Sequence, residues 1–174
     1  MRATIFVLMI LTCSITPKLA EANTEVMKPY FSDAKPLGHG RLTYMFWDVY
    51  DATLFAPKGL WSENKPFALK LNYLVDVKGK KIATLSIEEM KKQGAQDAAK
   101  LTRWETEMTK IFPDMAAGTS IIGIRTKAGN AVFYKDNQFI GSIKDKEFAE
   151  KFFAIWLSPK TSEPSLRAEL LGQK

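Results

Sequence analysis

Gly38-His39-Gly40-Arg41-Leu42-Thr43-Tyr44-Met45-Phe46-Trp47-Asp48-Val49-Tyr50-Asp51-Ala52-Thr53-Leu54-Phe55 is the stretch on which the fold reading turns. Two glycines precede one arginine, and two apolar, aromatic runs follow at residues 40–45 and 48–55, joined near Trp47-Asp48. Aromatic and β-branched side chains suit a pleated, half-buried surface, and glycine permits close backbone approach. The pattern predicts two strands. A guanidinium at the mouth of such a surface requires an acidic partner or a ligand that supplies one. Arg41 therefore has two readings: a clamp on a ligand carboxylate, or an ion pair with Asp48 or Asp51 that pins the hairpin.

Downstream, Ala56-Pro57-Lys58-Gly59 breaks the run, and residues 66–77 carry Phe67, Leu69, Leu71, Tyr73 and Val75 at period two, the signature of a strand. Lys78-Gly79-Lys80 reads as a turn. Ser86 and Glu89 have the spacing of a capping box, which predicts a helix start at Ser86. Gly94 interrupts that helix, and a second is expected over 96–112, with Leu101, Trp104, Met108, Ile111 and Phe112 on one stripe. Short strands follow at 120–126, 131–135 and 138–143, in a hairpin rhythm. Asp145 caps a helix through Trp156, Pro159 stops it, and a last helix occupies 164–171. Residues 23–36 read as an extended lead-in. Strands joined by hairpins, with helices grouped between and after them, give an α+β domain with an antiparallel sheet and helices on one face.

Composition narrows function further. The chain has 174 residues, one cysteine, one histidine and a formal net charge of +6. Arg2, the apolar run Ile5 to Leu11 and Ala20-Glu21-Ala22 read as a secretory signal peptide over residues 1–22, cleaved after Ala22. A lipoprotein reading at Cys13 meets Thr12 where a small residue is expected. The mature domain is then 23–174, periplasmic or secreted, without a thiol and without a transmembrane span. One histidine cannot build a zinc site, and Gly38-His39-Gly40 lacks the third glycine of a dinucleotide fingerprint; no metal or cofactor is expected. The lysines are spread along the chain, which reads as a solvated basic surface with no nucleic-acid partner. A monomer is expected.

The blocks at residues 38–55, 66–77 and 104–118 together resemble the bacterial chalcone isomerase-like proteins. So do Ile140-Gly141-Ser142-Ile143, Phe152-Phe153-Ala154-Ile155-Trp156-Leu157, Thr161-Ser162-Glu163-Pro164 and Leu166-Arg167. The resemblance implies an open-faced β-sandwich whose helices lie on a large antiparallel sheet, with a cleft between the layers. In the plant enzyme of the family that cleft holds a chalcone. In non-enzymatic relatives it holds a fatty acid whose carboxylate an arginine grips.

Arg41 matches the family arginine, although it follows Gly40 directly where the plant pattern inserts one residue. On a strand, one residue changes the face. Tyr50 falls near the threonine of the plant site, and Ile82-Ala83-Thr84-Leu85-Ser86 contains no counterpart of the plant tyrosine. The resemblance therefore implies a non-catalytic binder of a small, apolar, fatty-acid-like carboxylate, with Arg41, Thr43, Tyr44, Tyr50 and Tyr73 as ligand-binding residues. The alternative is an isomerase, an intramolecular lyase of the chalcone isomerase type, in which Arg41 steadies an oxyanion and a tyrosine or water moves the proton. Lys70 reads as solvent-facing and His39 as a turn residue near the cleft entrance.

Overall fold

The computed structural model describes residues 24–173; the expected leader at residues 1–22 lies outside the described residues. Six strands form one antiparallel sheet in chain order: β1 (Ala34–Tyr44), β2 (Trp47–Pro57), β3 (Phe67–Tyr73), β4 (Ser120–Arg125), β5 (Ala131–Lys135) and β6 (Gln138–Ile143). Helices α1 (Gly79–Lys92) and α2 (Ala98–Ile111) fill the connection from β3 to β4, while α3 (Lys146–Leu157) and α4 (Pro164–Leu170) follow β6.

Side chains alternate across a strand, so each residue's parity assigns its face. Ala52 and Leu54 of β2, with Phe67, Leu69, Leu71 and Tyr73 of β3, face the helices, as do Ile121 and Phe133. They meet Met90, Trp104, Met108, Phe148, Phe153 and Trp156 in the main core. Phe55, Ala68, Ile122 and Ile124 take the opposite parity and pack against Met27 and Phe31 from the helical turns that open the described chain. Helices thus cover one face of the sheet. Among the described residues, the outer face is capped towards the Phe55 end.

Local chemistry sets most boundaries. Asp97 and Asp145 are N-caps, accepting from the backbone N–H of Lys100 (3.0 Å) and Phe148 (3.1 Å). Asp136 and Asn137 both adopt positive φ, 46° and 70°, as the two-residue turn between β5 and β6 requires. The strands expected at 131–135 and 138–143 therefore appear with those bounds.

Three expectations are corrected. Helix α1 begins at Gly79, not Ser86: Ser86 sits mid-helix, where its hydroxyl donates to the Ile82 carbonyl (2.9 Å). Its start is fixed from a distance, because Asp114 accepts from the Gly79 N–H (3.0 Å) and from Lys78 Nζ (2.7 Å), a cap invisible to local spacing. Lys78-Gly79-Lys80 is consequently the opening of a helix. The lead-in also differs, since residues 24–30 coil in turns and β1 begins at Ala34.

Close approach explains Gly38. A Cβ there would lie 2.1 Å from the Glu169 carbonyl oxygen, so β1 and α4 touch through backbone. Gly38→Ala is expected to cost about 2 kcal/mol by overpacking, measured as a lower midpoint in urea.

Asp145 does more than cap. It also accepts from the buried Trp104 Nε1 (3.0 Å) and from Arg103 (2.5 Å). Burial alone would raise its carboxyl, yet these donors with the Phe148 N–H hold it below the usual carboxylate range. A depressed folded pKa contributes stability that is present above the unfolded value and lost as pH falls through the folded one. Asp145→Ala is expected to lose about 2 kcal/mol at neutral pH by orphaning the indole, and to show a shallower loss of stability below roughly pH 4. Urea unfolding across pH checks both.

Candidate functional site

Arg41 lies on the outer face. Gly38, Gly40 and Leu42 of β1 face α4 and the main core, whereas Arg41 opposes Asp51, whose row continues through Asn72 to Ser120. Its guanidinium holds Asp51 through two bonds (2.6 and 3.0 Å) and Asp48 through a third (2.8 Å). Thr43 donates to the other Asp48 oxygen (2.7 Å). The arginine side chain is half exposed, at 49%. Of its two readings, the hairpin-pinning ion pair is the one present, and the position expected for it in the cleft is corrected. The physical reason is the single-residue shift after Gly40, which turns the side chain away from the helices.

The other expected residues divide. Tyr44 is exposed at the hairpin tip. Thr43 belongs to the outer polar cluster, and His39 is exposed on the same parity as Arg41. Lys70 is also on the outer face, opposite Thr53 and Ile122, and partial burial lowers its pKa against the pull of Asp136.

Tyr50 and Tyr73 come together on the helix face as direct cross-strand partners, their rings edge to face at 5.9 Å. The Tyr50 hydroxyl accepts from Trp156 Nε1 (2.9 Å). Burial pushes both phenols well above the ordinary tyrosine value; at Tyr50 the Trp156 indole bond opposes that shift, and the nearby charges of Glu163 and Glu89 add to it.

The helix face does carry a buried cation, at the opposite end of the same floor. Arg125 ends β4 on the parity of Ile121 and Gly123, paired in register with Phe67 and Ala131, which both belong to the main core. It is only 8% exposed. The ion pairs of the described residues engage Arg41 and Arg103 but not Arg125. Phe67 also packs edge-on against Trp61 (6.2 Å), whose buried Nε1 has no hydrogen-bond partner. Two N–H-bearing groups therefore flank Phe67 without an acceptor from the described chain. From Phe67 to Tyr73, β3 provides an apolar floor roughly 20 Å long.

Phe153 and Trp156 cover this floor, so the cleft is closed by side chains. An open cavity of about 310 Å³ lies elsewhere, between α1 and α2, lined by residues such as Ile87, Lys91, Leu101 and Glu105. No strand residue lines it. The sequence reading missed Arg125, yet a signal existed: in Ser-Ile-Ile-Gly-Ile-Arg the lone charge closes an apolar strand on the parity of Ile121, not of Ser120.

Residues 37–172 match the model of the chalcone isomerase-like family. The chain belongs to that family. No curated protein matches the chain. Among solved structures, this chalcone isomerase-like chain is similar to the Arabidopsis thaliana fatty-acid binding protein AtFAP1, with a TM-score of 0.63 at 12% identity, covering 82% of this chain and 89% of that one. At that identity the likeness is one of fold, and it agrees with the α+β sheet-and-helix architecture described above.

Two outcomes are expected of this geometry. Arg41→Ala should weaken the hairpin slightly, by an amount that shrinks as salt is raised, because the pair is exposed and screened. A phenol whose folded pKa is raised contributes stability that is lost as pH climbs past the unfolded value near 10. Near-ultraviolet titration should thus show Tyr50 and Tyr73 ionising only with alkaline unfolding, whereas Tyr50→Phe removes one such late transition.

Proposed function

We propose that this protein is a non-catalytic carrier of a fatty-acid-like ligand, taken up between sheet and helices with its carboxylate on Arg125. The observation that carries this reading is Arg125, a cation 8% exposed on the helix-face parity of β4, with no carboxylate partner among the described residues. A planar guanidinium receives a carboxylate through two parallel bonds. Trp61, which packs on Phe67, carries a further N–H without a partner. The apolar body would lie along Phe67, Leu69 and Leu71 towards Tyr50 and Tyr73.

Uptake requires Phe153 and Trp156 to turn or α3 to lift. The core provides compliance, because Met90 and Met108 are fully buried within it and methionine repacks readily. The fold shared with a protein that binds fatty acids supports the same assignment. The isomerase alternative is not favoured by any contact: it needs Arg41 beside a tyrosine, and Arg41 lies across the sheet from Tyr50 and Tyr73. Export after Ala22 is part of the proposal, supported by the charged, apolar and small-residue pattern of residues 1–22. Mass measurement of the exported chain should give an N-terminus at Asn23.

The test is lipid extraction with mass spectrometry, followed by titration with a long-chain fatty acid monitored through tryptophan emission. Charged hydrogen bonds of this type contribute about 1.5–3 kcal/mol, so Arg125→Met should weaken binding roughly ten- to a hundredfold. Arg41→Ala should leave affinity unchanged. Unaltered binding in Arg125→Met, or loss in Arg41→Ala, would overturn the assignment.

A further inference from the structure

The β1–β2 hairpin ends in four consecutive large apolar side chains turned to solvent: Tyr44 at 66%, Met45 at 74%, Phe46 at 93% and Trp47 at 71% exposure. Tyr44 and Trp47 are the last register pair, so Met45 and Phe46 form the two-residue turn. Such turns ordinarily take Asn, Asp or Gly. Here Met45 holds a left-handed φ of 56°, a conformation that costs a side-chain-bearing residue on the order of 1 kcal/mol. The free chain thus carries both backbone strain and exposed apolar area at its outermost point, a combination that points to use.

We propose that this tip is an interfacial membrane anchor, inserting Phe46 and Met45 below the lipid headgroups with Tyr44 and Trp47 at headgroup level. Shape favours a bilayer over a protein partner. The tip is convex, and its four side chains offer on the order of 600 Å², short of roughly 800 Å² per partner in a standard protein interface. A bilayer needs no complementary pocket, and Trp and Tyr prefer its interface. Directly behind the tip, Thr43, Asp48, Arg41 and Asp51 form a hydrogen-bonded polar collar that limits depth. Lys92, in the last turn of α1, lies near Tyr44. Around the tip itself positive and negative groups nearly balance, so insertion carries the contact and salt alters it little. The anchor does not depend on an interior ligand.

The experiment uses the full chain with vesicles of phosphatidylethanolamine and phosphatidylglycerol containing brominated acyl chains. The emission difference between the parent chain and Trp47→Phe isolates Trp47. Strong quenching of that component by brominated lipid, and partitioning reduced at least tenfold in the Met45→Gly, Phe46→Asn double variant, support the anchor. That variant relieves the turn and should unfold at an equal or higher temperature, so lost binding is not lost folding. Trp47 left unquenched by lipid but open to an aqueous quencher overturns the proposal. So does concentration-dependent self-association that the double variant abolishes, which would assign the tip to a second copy of the chain.

Discussion

Parity along the sheet is the constraint on which everything else rests. Successive residues of a strand face opposite layers, one covered by helices and the other largely open, so a displacement of one residue exchanges a dry environment for a wet one. Arg41 and Arg125 are the two outcomes. The first opposes Asp51 on the open face and finds two carboxylates within hydrogen-bond reach. The second opposes Phe67 beneath the helices and finds none among the described residues. The same residue type is a surface staple in one place and, in the other, a largely covered side chain without a carboxylate partner.

The packing around the floor follows from the same alternation. Because β3 is flanked on both sides, its helix-facing residues Phe67, Leu69, Leu71 and Tyr73 make a continuous apolar strip, and α3 supplies the aromatic cover. Glycines then set how closely the neighbouring elements approach. At Gly38 and Gly79 a Cβ would collide with backbone carbonyls of Glu169 and Phe112, so β1 meets α4, and α1 meets the end of α2, without intervening side chains. The layers are tight at these contacts and softer where Met90 and Met108 lie.

Much of the architecture was legible in the sequence because its signals are local. Period-two runs, Asp145 at a helix start, and the Asp136-Asn137 turn each act within a few residues, and the elements appear close to where they were expected. The start of α1 was not legible, since its cap comes from Asp114, on the far side of α2. Ser86 and Glu89 had the right spacing for a capping box but the wrong surroundings: Ser86 bonds back to Ile82, and Glu89 engages Lys92 and Ser162. The site was half legible. Tyr50 and Tyr73 were named individually, yet only the register makes them one pair. Arg41 was drawn to the cleft by resemblance, although the missing residue after Gly40 already stated the opposite parity.

The positions of charge also explain why a carrier fits this interior better than a catalyst. Moving a proton or steadying an oxyanion requires a donor and a cation to converge on the same reacting atom. Here the phenols of Tyr50 and Tyr73 sit at one end of β3 and Arg125 at the other, six residues apart along the strand from Phe67 to Tyr73. Groups separated in this way cannot share one atom, but they can bracket a long molecule. In the proposed carrier, Arg125 would hold the acidic end and the apolar strip of β3 would accept the body. The orientation of the proposed ligand would thus follow from the single cation, Arg125, at one end of β3.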